Sequence, residues 1–111
     1  MGIIEKMRLD GKKAFVTGGA RGIGKSIAYA LAEAGADVAI VDIDLAEAEK
    51  TAEQIARDTG RKCIAVSADV TDKEQVDRMI ETVLKEFGRI DAAFCNAGIC
   101  INAPAEEMTY E

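Results

Sequence analysis

The chain has 111 residues, of which 49% are hydrophobic and 31% are charged, and its formal net charge at pH 7 is −6. This size and composition fit one globular domain. The acidic balance argues against a nucleic-acid partner, because phosphate backbones are bound by an excess of Lys and Arg. No run of about 18 apolar residues could span a membrane. The N-terminal segment carries Glu5 and Asp10 and is not a signal peptide, so we expect a cytoplasmic protein.

Short apolar runs alternate along the chain with longer stretches of helical periodicity. The predicted strands are residues 12–17, 37–42, 62–67 and 90–95. The predicted helices lie between Gly22 and Gly35, over residues 45–58, and between Thr71 and Gly88. The predicted buried face of the first helix consists of Ile23, Ile27, Ala30, Leu31 and Ala34. Thr71 and Glu74 predict a capping box at the start of the third helix.

This alternation of strands and helices predicts a doubly wound α/β fold. The sheet should be mostly parallel, with helices on both faces in three αβα layers. Right-handed crossovers place the first strand centrally, the second and third on one side, and the fourth on the other. The reversal opens a crevice at the carboxyl ends of strands one and four, where open α/β sheets bind ligands.

The stretch "GARGIGKS" at residues 19–26 fits two kinds of phosphate-binding turn. Gly19, Gly24, Lys25 and Ser26 match the G-x-x-x-x-G-K-[ST] loop of proteins that hydrolyse nucleoside triphosphates, and Asp42 could then organise magnesium. In that interpretation, Gly18 and Gly22 have no assigned role.

A dinucleotide-binding turn uses more of the chain. Gly18 and Gly22 permit a tight turn near a pyrophosphate, and Gly24 lets the first helix lie close to the sheet. Asp42 follows Gly22 by 20 residues and ends the second predicted strand, where a carboxylate binds the adenosine ribose. Asp42 or Asp44 could instead simply cap the second helix.

The acidic residues after strand two favour NAD over NADP. A carboxylate at Asp42 would repel a 2′-phosphate, and Asp44 adds negative charge nearby. Arg21 is a cation that could reach such a phosphate, but the two acids outweigh it, so we expect NAD as the cofactor. With no His and no C-x-x-C pair, no metal site is expected, and three Cys without a secretory signal favour reduced thiols.

Three motifs resemble the short-chain dehydrogenase/reductase family. They are "TGGARGIG" at 17–24, "ADV" at 68–70, and "CNAG" at 95–98, in which Cys95 replaces the Asn of the family's N-N-A-G element. The resemblance, which covers the chain from Leu9 onward, implies a Rossmann-type dinucleotide-binding fold. It implies that the cofactor is bound by Gly18, Arg21, Gly22, Ile23 and Gly24 at the pyrophosphate, Asp42 at the ribose, Asp69 and Val70 at the adenine, and Asn96, Ala97 and Gly98 below the nicotinamide ribose.

The family's catalytic Asn, Ser and Tyr-x-x-x-Lys pair have no counterpart in this chain. Tyr29 is followed four residues later by Glu33, and Tyr110 is penultimate. We therefore predict no catalytic residues in residues 1–111, which form a single dinucleotide-binding domain that stops before the catalytic half. A helix that begins at Thr109 and stops also suggests a fragment.

The resemblance implies that the full-length parent is an enzyme that transfers hydride between NAD(H) and an alcohol or carbonyl substrate. The unprotected edge of the fourth predicted strand favours self-association, and we expect a homo-oligomer. A non-catalytic dinucleotide-binding fragment that self-associates is the alternative. A triphosphatase is the remote third interpretation.

Overall fold

The computed structural model describes residues 10–20 and 22–95. In chain order the elements are β1 (Lys13–Thr17), α1 (Gly22–Glu33), β2 (Asp37–Asp42), α2 (Leu45–Thr59), β3 (Cys63–Ser67), α3 (Lys73–Phe87) and β4 (Ala92–Cys95). The strands form one parallel sheet in the order β3-β2-β1-β4. The doubly wound α/β prediction and the predicted strand order are therefore confirmed, with the reversal between β1 and β4.

Each face of the sheet carries its own hydrophobic core, because successive side chains of a strand point to opposite faces. Val16 and Ile40 lie in one core with residues of α1 and α2, such as Ala28 and Ile55. Phe15, Ala39 and Val41 lie in the other core, where α3 contributes Val76, Met79, Ile80, Val83 and Phe87. The helices thus cover both faces in three layers, as predicted.

The buried face of α1 differs from the predicted one. Its fully buried residues are Gly24, Ala28 and Ala32, whereas Ile23 is 70% exposed and Ile27 and Leu31 are only partly buried. Small residues spaced four apart let a helix approach the sheet closely, so the largest apolar side chains of α1 are displaced to the flanks. The prediction of the buried face from hydrophobicity alone was therefore wrong. The burial of Gly24 agrees with the prediction that it lies close to the sheet.

The start of α3 also differs from the prediction. The N-cap is Asp72, whose carboxylate accepts hydrogen bonds from the N–H groups of Glu74 and Gln75. Thr71 instead donates its hydroxyl to Oδ1 of Asp69, at 2.7 Å, and is not the cap. Other element ends move by one or two residues, which is the usual scatter of helix and strand boundaries.

Asp37 joins several elements at the amino-terminal edge of the sheet. It is 6% exposed, and it accepts hydrogen bonds from Nζ of Lys13 at 2.6 Å, Nη2 of Arg61 at 3.1 Å and the backbone N–H of Lys62 at 3.2 Å. Burial by itself raises the pKa of Asp37, but these hydrogen bonds and the two positive charges outweigh burial and hold the pKa below the ordinary 3.8. Asp37 is therefore ionised at neutral pH.

The two cysteines within the described strands behave differently. Cys63 is a free thiol that packs beside the core under α2, and burial raises its pKa to about 11. Cys95, at the carboxyl end of β4, is disulfide-bonded, so the expectation of reduced thiols is wrong there. Over residues 10–20 and 22–95, no helix is both long and apolar enough to cross a bilayer. The helix predicted to begin at Thr109 lies outside the described residues.

Candidate functional site

The carboxyl ends of β1, β2 and β3 surround a cavity of about 300 Å³. It is lined by Gly18, Asp42, Ile43, Ala68, Asp69, Val70 and Thr71. Each lining residue therefore lies at, or just beyond, the end of a strand. This is the side of the sheet on which parallel α/β folds bind ligands, and the volume is at the lower end of the range of about 300–1,000 Å³ for small-molecule sites.

The turn that leaves β1 depends on two glycines with positive φ angles. Gly18 has φ 65° and Gly22 has φ 63°, a backbone conformation that residues with a side chain rarely adopt. Between them the chain lies tightly against the strands, because a Cβ atom on Gly19 would be 3.0 Å from the carbonyl oxygen of Val16. Gly18 and Gly19 thus lie in a compact turn at the end of β1 rather than in an open loop.

The turn leads directly into α1, which begins at Gly22. The first N–H groups of a helix have no partner within it and carry a partial positive charge. No acidic side chain lies in the first turn of α1 to neutralise this charge. The arrangement therefore suits an anionic group such as a phosphate.

Asp42 ends β2 and is connected to the glycine-rich turn. Its carboxylate accepts hydrogen bonds from the N–H of Ala20 at 3.2 Å and the N–H of Asp44 at 3.1 Å. The N-cap of α2 is Asp44, which accepts a hydrogen bond from the N–H of Glu47 at 3.2 Å. Of the two acids considered as helix caps, Asp44 therefore has that role. A carboxylate has about four acceptor positions, so Asp42 can accept further hydrogen bonds from a ligand.

Asp69 lies shortly before Asp72, the N-cap of α3. The hydroxyl of Thr71 donates to its Oδ1 at 2.7 Å and the N–H of Thr71 to the same oxygen at 3.0 Å. These hydrogen bonds hold the pKa of Asp69 below its ordinary value of 3.8, so the side chain is an ionised acceptor at neutral pH. The N–H of Asp69 donates to Oε1 of Gln75 at 3.0 Å, which fixes the backbone at this position.

The structure brings together some of the predicted site residues and places others nearby. Four of them, Gly18, Asp42, Asp69 and Val70, line the cavity. Gly22, Ile23 and Gly24 form the first turn of α1, where Ile23 is exposed and Gly24 is buried. The remaining predicted site residues, Arg21, Asn96, Ala97 and Gly98, lie outside the described residues.

Sequence reasoning missed two residues at this site, Ile43 and Thr51. Ile43 lines the cavity although it is 65% exposed, and the signal was a large apolar residue directly after a strand-ending acid. Thr51 of α2 donates a buried hydrogen bond of 2.7 Å to the carbonyl of Ala20 in the glycine-rich turn. The signal for Thr51 was a hydroxyl residue next to Ala52 within the helix predicted over residues 45–58.

The described part of the site combines the glycine-rich turn before α1 with two carboxylates, those of Asp42 and Asp69. Such carboxylates can accept hydrogen bonds from a sugar diol or an amino group. Within the described ranges, no group of three or more His, Cys, Asp or Glu side chains could hold a metal ion. The glycine-rich turn and the two carboxylates are suited to binding a nucleotide.

A protein-family comparison identifies this architecture. The family model described as short chain dehydrogenase matches residues 12–111. Sorbitol dehydrogenase from Cereibacter sphaeroides is 45% identical over 105 residues, covering 95% of this chain and 40% of that protein. Galactitol 2-dehydrogenase from Agrobacterium fabrum is 46% identical over 105 residues, with coverage of 95% and 40%. The chain thus spans about two fifths of the length of these curated relatives.

Solved structures of dehydrogenases and reductases are also similar to this chain. A short-chain type dehydrogenase/reductase from Mycobacterium marinum superposes with a TM-score of 0.83 and 38% identity, covering 98% of this chain and 44% of that one. An NADPH-dependent 3-quinuclidinone reductase from Rhodotorula rubra gives a TM-score of 0.77 and 36% identity, with coverage of 84% and 35%.

The family match includes the glycine-rich turn and every described strand and helix. It therefore sets aside the triphosphate-hydrolysing interpretation of residues 19–26, in which Gly18 and Gly22 had no role. The chain belongs to the short-chain dehydrogenase/reductase family.

Proposed function

We propose that this chain is the NAD(H)-binding part of an oxidoreductase that transfers hydride between NAD(H) and an alcohol or carbonyl substrate. The observation that carries the proposal is the cavity where Gly18, Asp42 and Asp69 meet at the carboxyl ends of three strands. Relatives named for the oxidation of sorbitol and galactitol support an alcohol as the substrate class. The cofactor, when bound, supplies the hydride chemistry.

The roles of individual residues follow from their positions. In the proposal, the N-terminal turn of α1, with Gly18, Gly22, Ile23 and Gly24, binds the pyrophosphate. Asp42 accepts hydrogen bonds from the adenosine ribose, and Asp69 accepts one from the adenine amino group beside Val70. Arg21 is assigned to the pyrophosphate, and Asn96, Ala97 and Gly98 are assigned to the nicotinamide ribose, by resemblance to the family.

The proposed preference for NAD rests on the negative charge at the end of β2. Asp42 lies in the cavity lining, and Asp44 follows two residues later at the start of α2. A ribose 2′-phosphate at this edge would meet two carboxylates, whereas a free 2′-hydroxyl would donate to one. The family also includes an NADPH-dependent structural neighbour, so this local charge is what favours NAD here.

The first test compares the two cofactors directly. NAD should raise the melting temperature of the chain more than NADP at equal concentration, because the ligand that binds the folded state more tightly stabilises it more. The measurement is a thermal melt with each cofactor over a concentration series. A larger shift with NADP would contradict the cofactor assignment, and no shift with either would contradict the proposed site.

The second test separates cofactor binding from catalysis. We expect no detectable dehydrogenase turnover by the 111-residue chain with NAD and polyols, since neither Tyr29 nor Tyr110 begins a Tyr-x-x-x-Lys pair. By resemblance to the family, such a pair is what exchanges the substrate's hydroxyl proton. The measurement is NADH formation at 340 nm. Binding without turnover fits either the cofactor-binding part of an enzyme or a non-catalytic binding module, while sustained NADH formation would refute the expectation.

A further inference from the structure

Thr51 is a buried polar residue on the face of α2 that packs against the sheet. It is 2% exposed, and its neighbours on that face are Ala48, Ala52 and Ile55, all of them buried. A buried hydroxyl without a hydrogen-bond partner is unfavourable in such surroundings. The position would therefore suit an apolar residue unless the hydroxyl has a specific partner.

The partner of Thr51 lies outside its own helix. A helical threonine commonly donates to the carbonyl four residues earlier. Thr59 does so with the oxygen of Ile55 at 2.7 Å, and Thr82 does so with the oxygen of Arg78 at 2.9 Å. Oγ1 of Thr51 instead donates to the carbonyl oxygen of Ala20 at 2.7 Å, 31 residues earlier in the chain. This bond connects α2 to the glycine-rich turn.

Both backbone groups of Ala20 are hydrogen-bonded to side chains of other elements. Its carbonyl accepts from Thr51, and its N–H donates to Oδ2 of Asp42 at 3.2 Å. The preceding residue, Gly19, donates its N–H to the carbonyl of Val41 at 3.2 Å. Ala20 is 2% exposed, so water cannot easily replace these partners. The orientation of the turn just before α1 is therefore set by one side chain from α2 and one from β2.

We infer that Thr51 is a positioning residue for the pyrophosphate of the dinucleotide. This inference rests on the proposed function. Through the carbonyl of Ala20, the Thr51 hydroxyl holds the turn in the conformation that directs the first N–H groups of α1 toward the ligand. Without the hydroxyl, the buried carbonyl of Ala20 would lose its partner, and the turn would have to shift to regain one. Such a shift would displace the N–H groups of α1 that donate to the phosphate, although Thr51 does not contact those groups itself.

The experiment uses the 111-residue chain with NAD and adenosine as the probes. Thr51→Val keeps the shape of the side chain and removes the hydroxyl, whereas Thr51→Ser keeps the hydroxyl. We expect Thr51→Val to weaken NAD binding about tenfold, as measured by calorimetry, and Thr51→Ser to stay within about twofold of the parent. Adenosine carries no phosphate, so its affinity should change much less than that of NAD.

Thr59→Val is the matched control. It removes a threonine hydroxyl from the same helix, but the hydrogen bonds that it breaks, to the carbonyl of Ile55 and from the N–H of Arg61, lie at the C-terminal end of α2 and do not involve the glycine-rich turn. It should lower the melting temperature without changing NAD affinity. Amide exchange at Ala20 gives a second readout: it should become faster in Thr51→Val and stay unchanged in Thr59→Val. If Thr51→Val does not fold, Thr51→Ala removes the same hydroxyl with a better helix former.

The possible failures can be told apart. If the parent binds NAD and Thr51→Val binds it equally well, the positioning role is overturned and the proposed function stands. An equal loss for NAD and adenosine, a Ser variant as weak as the Val variant, or unchanged exchange at Ala20 would also overturn the role. If the parent does not bind NAD, the proposed function and this inference fail together.

Discussion

Replacement of Asp42 by alanine should remove most of the preference for NAD over NADP. The variant loses the acceptor proposed for the ribose hydroxyls and the charge that would repel a 2′-phosphate. A hydrogen bond to a charged group contributes about 1.5–3 kcal/mol, so NAD affinity should fall at least about tenfold. NADP affinity should fall less or rise, since the repulsion is also gone. The measurement is the ratio of the two dissociation constants in parent and variant.

Two further variants separate charge from geometry. Asp42→Asn removes the charge but keeps an oxygen that can accept from the N–H of Ala20, so it should retain more NAD affinity than the alanine variant. Asp44→Ala removes the N-cap of α2, which should lower stability by about 1 kcal/mol, and it should shift the cofactor ratio much less than Asp42→Ala, because only Asp42 lines the cavity. If Asp44→Ala shifted the ratio as strongly as Asp42→Ala, the assignment of the ribose to Asp42 would be wrong.

The strand order was predictable because it follows from alternation and handedness. The crevice was predicted at the carboxyl ends of strands one and four, whereas the described cavity lies at the ends of β1, β2 and β3. Residues 38–41 are apolar and lie between two acids, Asp37 and Asp42, and the structure places β2 over residues 37–42. The reversal between β1 and β4 was expected from right-handed crossovers, and it is confirmed. The glycine spacing in "TGGARGIG" indicated the turn because positive φ angles, as at Gly18 and Gly22, favour glycine strongly.

What the sequence did not reveal depends on contacts between distant segments. The sequence did not predict the N-cap of α3 correctly because Thr71 and Asp72 are both good N-cap residues. The hydroxyl of Thr71 donates to Asp69 instead, which leaves Asp72 as the cap. The hydrogen bond from Thr51 to Ala20 joins residues that are 31 positions apart, and no local sequence pattern predicts such a contact. Small residues on the buried face of α1 likewise reflect how closely the helix lies to the sheet, which hydrophobicity does not measure.

Replacement of Asp37 by alanine should lower the free energy of unfolding at pH 7 by about 3 kcal/mol, because it leaves two cations without their buried partner. Lys13 and Arg61 donate to this carboxylate, and their side chains are 22% and 35% exposed, so solvent relieves only part of the loss. A domain of this size is stable by about 5–15 kcal/mol in total, which makes the effect large. The measurement is urea unfolding followed by circular dichroism.

Asp77→Asn is the matched surface control for Asp37→Asn. Asp77 pairs with Lys73 at 3.0 Å on an exposed face of α3, where an ion pair contributes about 0–1 kcal/mol. Asp37→Asn should destabilise clearly more, and it should leave the NAD to NADP ratio unchanged because residue 37 is at the other end of β2 from the site. Equal effects of the two asparagine variants would contradict the structural role of the buried acid.

The pH dependence of stability gives an independent check on Asp37. Its folded-state pKa lies below the ordinary 3.8, so the unfolded state binds protons more readily as the pH falls. The stability from the ionised carboxylate is therefore fully present above the unfolded-state pKa and is lost as the pH falls through the lower folded-state pKa. Asp69 and Asp91 also have lowered pKa values, so some acid sensitivity should remain in Asp37→Asn. The difference between parent and variant should shrink toward low pH, and a difference that stayed constant from pH 7 to pH 2.5 would show that the charge of Asp37 does not stabilise the fold.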